Sequence, residues 1–156
     1  MKTETHFVND PKLAEVKLTY SAHPDTVDYP ILSSPSDIYQ YTKDIWEPDT
    51  IELREEFVVI LLNNSLKVLG WSKISVGSRS ATVVEIPHIV LLALLSNASS
   101  IVCAHNHPSG TLRPSTSDKH LTTRIDKALS LISIKLEDHL IITREGYFSF
   151  KEHNLL

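Results

Sequence analysis

The stretch "AHNHPSGTLRPSTSDKH", Ala104 to His120, holds three of the chain's eight histidines and joins two patterns of different period. Before it, "SIVCAH" is a short apolar run of strand length. After it, Leu121, Ile125, Leu129 and Ile132 recur at helical spacing. Between them, Pro108 cannot continue a hydrogen-bonded ladder and Ser109-Gly110 is a turn signal. Ser115 followed by Asp118 has the spacing of a capping box, with Asp in place of the usual Glu. The stretch therefore reads as strand, turn, helix.

That reading has a chemical consequence. Alternate side chains of a strand point the same way, so His105 and His107 share a face. The helix that starts at Ser115 carries Asp118 in its first turn. Two imidazoles and one carboxylate suit zinc, and a fourth position is left for water, as catalytic zinc sites require. The plainer alternative is a helix cap beside two polar residues at a strand exit. Cys103 lies on the His105 face, one step earlier and deeper, where a lone apolar-strand cysteine reads as packing rather than as a ligand or nucleophile.

Upstream, "EEFVVILLN" predicts a buried strand from Phe57 to Leu62, "NNS" a turn, and "LKVLGWSKISV" the second arm of a hairpin. "GSRSATVVEI" is a loop leading into Pro87, which suits a first helical turn. The helix from there to about Leu95 is apolar all round, which predicts burial. Ser36 is positioned to cap a helix through "DIYQYTKDIW", with Ile38, Tyr41 and Ile45 on one face. Earlier still, "AEVKLTY" alternates like a half-buried strand, and the proline-rich "SAHPDTVDYPILSSPS" is a connection. Residues up to about Val8 read as a tail. Downstream, "HLIIT", "REG" and "YFSF" form a last hairpin, where His139 reads as packing or a polar contact. Helices and strands mix without regular βαβ alternation, so the fold class is α+β, a sheet with flanking helices.

The bulk properties narrow the field. A chain of 156 residues suits one domain that folds without disulfide or metal. The formal net charge of −4, with no basic run, argues against a general grip on nucleic acid. A single cysteine fits a reducing compartment. The first residues lack the apolar core of a signal peptide, and "IVLLALL" is too short to span a bilayer, so a cytoplasmic protein without membrane contact is expected.

The spacing His105-x-His107-Pro108, six residues, Ser115, two residues, Asp118 resembles the signature of the JAB1/MPN/Mov34 metalloenzymes, the JAMM motif. The longer string, with "LTTRI", "DHLIIT" and "GYFSF" after it, is similar to the bacterial RadC family in particular. The resemblance implies a three-layer α/β/α, cytidine-deaminase-like mixed sheet, with an N-terminal strand and linker over 1–35 and the JAB/MPN domain over 36–156. It implies a zinc-dependent hydrolase of peptide or isopeptide bonds acting on a peptide or protein, with His105, His107 and Asp118 as ligands. It also implies an upstream glutamate as general base. The RadC-like pattern Glu-x-Phe selects Glu55, whereas other JAMM proteins place Glu directly before the aromatic, which selects Glu56. In an extended chain these neighbours face opposite ways, so one of them reaches the metal. Ser115 is implied as donor to the oxyanion, or it serves as helix cap alone. Two departures stand out. The segment resembling a helix–hairpin–helix that usually precedes RadC catalytic domains has no counterpart in these residues, and the Pro-Arg that follows the Val-Val is replaced by Glu85-Ile86-Pro87-His88. The alternative function is a metal-binding module that works with DNA-repair or mobile-element proteins without proteolysis.

Overall fold

Residues 29–78 and 83–156 are described by a computed structural model. The expected tail, the strand at "AEVKLTY" and the first half of the connection after it lie outside the described residues. The elements run α1 (Pro35–Ile45), β1 (Glu56–Leu62), β2 (Val68–Val76), α2 (Ile86–Leu95), β3 (Ser100–Asn106), α3 (Thr116–Ser130), β4 (Lys135–Ile142) and β5 (Tyr147–Ser149). The strands form one mixed sheet in the order β2-β1-β3-β4-β5. β3 and β4 are parallel, and α3 is the crossover such a pair requires. The other neighbours are antiparallel.

The period of two divides each central strand between two layers of helix. From β1, Val58, Ile60 and Leu62 pack with Ile38 of α1 and with Val102 and Ala104 of β3. Phe57, Val59 and Leu61 point the other way, toward Ile89 and Ala93 of α2 and Ile125 and Leu129 of α3. Ile101 and Cys103 of β3 join that second cluster. Helix α1 thus covers one face and α2 with α3 the other, the α+β, three-layer arrangement that the JAB/MPN resemblance implies. Full burial of each aliphatic side chain contributes about 1.5–3 kcal/mol. No helix among the described residues is long and apolar enough to cross a membrane.

Three sequence expectations are corrected. Helix α1 is capped by Ser34, not Ser36. Pro35 occupies the first turn, and Ser34 and Asp37 make the reciprocal capping box that puts the start two residues earlier. Strand β4 begins at Lys135, four residues before "HLIIT", because Ser100 and Ile101 of β3 pair with Lys135 and Leu136. Helix α2 is not buried all round. Ile89 and Ala93 face the sheet, but Leu91, Leu94 and Leu95 are 53, 54 and 50 % exposed. An outer-layer helix has one stripe against the sheet, and composition alone does not supply a second partner. Ile89→Ala is therefore expected to cost about 2–5 kcal/mol in urea unfolding. Leu91→Gln should stay within about 0.5 kcal/mol of wild type; equal losses would mean that α2 is covered on both sides.

At the start of β1, Glu56 is fully buried between Arg54 and Lys73, each 2.8 Å from its carboxylate. Burial pushes this carboxyl up, but Lys73 and Arg54 outweigh it and hold it below its ordinary value. A depressed folded-state pKa contributes stability above the unfolded value, about 4.3, and loses it as pH falls through the folded value. Glu56→Gln should lower stability at neutral pH by about 1.5–3 kcal/mol, the range for hydrogen bonds to charged groups. Unfolding at a series of pH values should show the gap between variant and wild type closing below about pH 4.

Candidate metal centre

The pairing of β1 with β3 sets out the site. Phe57 lies opposite His105. Glu55 precedes Phe57 by two residues and His107 follows His105 by two, so all four side chains fall on the α3 side of the sheet. Glu55 lies just outside the strand, yet its backbone is held. Its N–H donates to the Ser78 carbonyl at 2.9 Å and its carbonyl accepts the Gly77 N–H at 2.8 Å. Asn106, between the two histidines, is buried and clamps the loop that delivers Glu55. Its Oδ1 accepts the Glu56 N–H at 2.7 Å, and its amide donates to the carbonyls of Ile51 (2.7 Å) and Arg54 (2.8 Å). Every donor of that amide, and its oxygen, is used.

The chain reverses after β3 at Gly110, whose φ of +77° favours glycine. Its N–H donates to the His107 carbonyl at 2.9 Å. Helix α3 then starts at the N-cap Ser115. The Ser115 hydroxyl oxygen accepts the Asp118 N–H at 3.1 Å, and Asp118 Oδ2 accepts the Ser115 N–H at 2.6 Å. A carboxylate in the first turn is also favoured by the helix dipole. The cap therefore fixes the side chain that faces the histidines.

Ligand atoms of Glu55, His105, His107 and Asp118 all lie within 4.8 Å of one another. His105 Nε2 and His107 Nε2 are 3.1 Å apart, and each is 3.5 Å from an Asp118 oxygen. A tetrahedral zinc ion with ligands about 2.0–2.1 Å away spaces those ligands about 3.3 Å apart. The separations and the N, N, O donor set fit an ion of that kind, and these residues can hold a metal ion. The far side of His107 agrees. Its Nδ1 is 2.7 Å from the Thr111 carbonyl, which can only accept, so Nδ1 carries a proton and Nε2 is the nitrogen turned to the group.

The electrostatics follow from the same contacts. Burial pulls His105 down to about 4, with Asp118 opposing and His107 reinforcing. The ring is thus neutral at neutral pH, with a proton on one of its two nitrogens. The Asp118 hydrogen bond raises His107; burial opposes this, and the Thr111 carbonyl adds to it. Burial would raise Asp118, but His107, His105 and Ser115 outweigh it and hold the carboxyl far below the usual range. Glu55 is raised by burial; His107 opposes and Asp118 adds.

The structure thus brings together Glu55, His105, His107 and Asp118, with Ser115 at the cap. Glu56 points away into its ion pairs. Cys103 is buried below the group, and burial pushes its thiol well up. His120, His88 and His153 lie outside the group. His139 of β4, expected from the sequence to make packing or a polar contact, makes both, and its polar partner is a residue of the group. It is fully buried, with its Nε2 2.8 Å from His105 Nδ1 and its Nδ1 2.6 Å from the Thr122 hydroxyl. The signal available was a histidine inside an apolar strand, which needs a polar partner. A cavity of about 760 Å³ opens over the group; Arg113, Ser115, Leu121 and Arg124 are in its walls.

A family model described as "RadC-like JAB domain" matches residues 32–155. A UPF0758 protein of Rubrobacter xylanophilus is 41 % identical over 128 residues, 81 % of this chain and 54 % of that protein. One from Porphyromonas gingivalis is 46 % identical over 66 % of this chain and 46 % of its own length. Escherichia coli UPF0758 protein YfjY is 42 % identical over 66 % of this chain and 64 % of its own. The chain spans about half the length of the first two relatives. With a match over nearly all the described residues, the chain belongs to the RadC-like JAB domain family.

Proposed function

We propose that the chain is a zinc-dependent hydrolase of peptide or isopeptide bonds. The observation that carries the reading is the convergence of two imidazole Nε2 atoms and two carboxylates at the floor of one cavity. Bound by His105, His107 and Asp118, zinc supplies Lewis acidity toward a carbonyl and makes water acidic near neutrality. The rest is the work of side chains. Glu55 is buried beside the ligands, and no hydrogen bond occupies its carboxylate among the described residues. In this reading Glu55 accepts the proton of the attacking water and returns it to the leaving amine, a role worth about 10²–10⁴ in rate.

Ser115 serves as cap and as oxyanion donor without conflict. As a cap its oxygen accepts from the Asp118 N–H. A serine hydroxyl has two lone pairs and one proton, so its O–H is still available to a carbonyl oxygen in the cavity. Arg113 and Arg124 stand in the cavity walls with no ion pair among the described residues. They favour a peptide with carboxylates near the scissile bond over a neutral one.

Protein purified without chelator and reconstituted with zinc should bind about one equivalent, and His107→Ala should lose it. Glu55→Gln should keep the metal while cleavage of a peptide library falls at least about 100-fold. Glu56→Gln should cleave like wild type once folded. A library cleaved equally by wild type and Glu55→Gln would overturn the assignment of the base. In the same library, the Arg113→Ala/Arg124→Ala variant should lose about 10-fold in kcat/KM on acidic peptides only.

A further inference from the structure

The contacts behind His105 form a chain whose protons can be placed. His105 Nδ1 is 2.8 Å from His139 Nε2. His139 Nδ1 is 2.6 Å from Thr122 Oγ1. Thr122 Oγ1 is in turn 2.6 Å from the backbone carbonyl of Asp118. A carbonyl only accepts, so at that separation the Thr122 proton must lie between the two oxygens. With its single proton spent, Thr122 can only accept from His139, which places the His139 proton on Nδ1. A neutral imidazole has one N–H, so His139 Nε2 is an acceptor and His105 must donate from Nδ1. Three donors then meet three acceptors. The opposite assignment leaves Thr122 Oγ1 and the Asp118 carbonyl facing each other without a proton, and puts a hydrogen on His105 Nε2, inside the ligand group.

We infer that His139, held by Thr122, is a positioning residue that fixes the His105 tautomer with its Nε2 lone pair turned to the metal centre. The inference rests on the reading of that centre as a metal site, but the tautomer belongs to the protein alone. Packing supports the assignment. His139 is stacked on Phe150, with centroids 4.8 Å apart and planes 14° apart, and meets the Phe57 ring edge-on at 5.4 Å. Its ring therefore has one orientation in which both nitrogens are served. The chain also starts and ends on proposed ligands. It runs from the backbone of Asp118 on α3, through β4, to His105 on β3, so the two ligand-bearing elements are tied by hydrogen bonds as well as by packing.

The test is long-range ¹H–¹⁵N NMR of the metal-free protein, followed by titration with zinc against a chelating dye. In wild type, His105 and His139 should both show the Nδ1–H tautomer; a proton on His105 Nε2 overturns the inference. Thr122→Val keeps the side chain's shape but removes the acceptor, and should move the His105 proton to Nε2 and weaken zinc binding about 10–100-fold. Thr122→Ser should restore both readouts, which a loss due only to packing would not allow. His139→Phe should weaken zinc similarly, and if it does not fold, the Thr122 pair still decides. Zinc bound equally by Thr122→Val and wild type overturns the inference and leaves the metal site standing. Absence of zinc binding in wild type sinks the metal reading, and with it the positioning role, whatever the tautomers are.

Discussion

Most of what this chain can do depends on one register, Phe57 opposite His105 across the antiparallel pair β1–β3. With a period of two, that pairing assigns every side chain of both strands to a layer. Glu55, Phe57, His105 and His107 fall on the side of α3, which brings Asp118. Asn106 and Glu56 fall on the opposite phase, where one clamps the loop and the other takes up Arg54 and Lys73. A slip of one residue would exchange the two sets, burying Glu55 among the ion pairs and turning Glu56 toward the histidines. The continuous apolar run of β1 gives little resistance to such a slip, because both of its faces are buried. The polar groups supply it. The Asn106 side chain bonds to the Glu56 N–H, a contact available in one register only.

The cost of placing polar atoms in a core explains the hydrogen bonds behind the ligand group. His105, Asn106, Thr122, Asp138 and His139 are all buried, and an unpaired polar group there costs about 1–3 kcal/mol. Each has partners, drawn from other members of the set, from the side chains of His107 and Ser149, and from nearby backbone groups. Asp138, for example, accepts from the Ser149 hydroxyl at 2.6 Å and from the backbone N–H groups of His139 and Lys151. The network is costly to assemble and costly to disturb in part, so it rigidifies the end of the sheet where the cavity lies.

How much of this was legible follows from covalent distance. His105, His107 and Asp118 lie within 14 residues of sequence, on a strand and a first helical turn whose geometry is local. Their convergence could be read without the fold. The choice of Glu55 over Glu56 rested on the family pattern Glu-x-Phe, since geometrically it depends on register with a strand some fifty residues away. For His139 the need of a polar partner was legible from its apolar strand, but the identity of that partner was not, because it reaches His105 through the parallel pairing of β3 with β4. The cap of α1 is a different case. Ser34-x-x-Asp37 repeats the spacing of Ser115-x-x-Asp118, and Pro35 marks a first turn, so the signal was present and Ser36 merely competed with it. The exposed leucines of α2 show the limit of composition. An apolar helix reports that it can be buried, and only the layers around it decide how much of it is.

The two histidines of the centre are oriented by acceptors of different kinds, and this makes them unequal. His107 donates to a backbone carbonyl, that of Thr111, which no side-chain substitution removes and which can never donate. Its tautomer is fixed by chain path alone. His105 depends on another imidazole, whose state depends on a hydroxyl, whose proton depends on the carbonyl of Asp118. A change at Thr122 of α3 or His139 of β4, neither of which lines the cavity, can therefore reach His105 while leaving His107 as it was. The more buried of the two histidines is the one under remote control, because full burial removes water as an alternative partner and leaves the protein to supply every hydrogen bond.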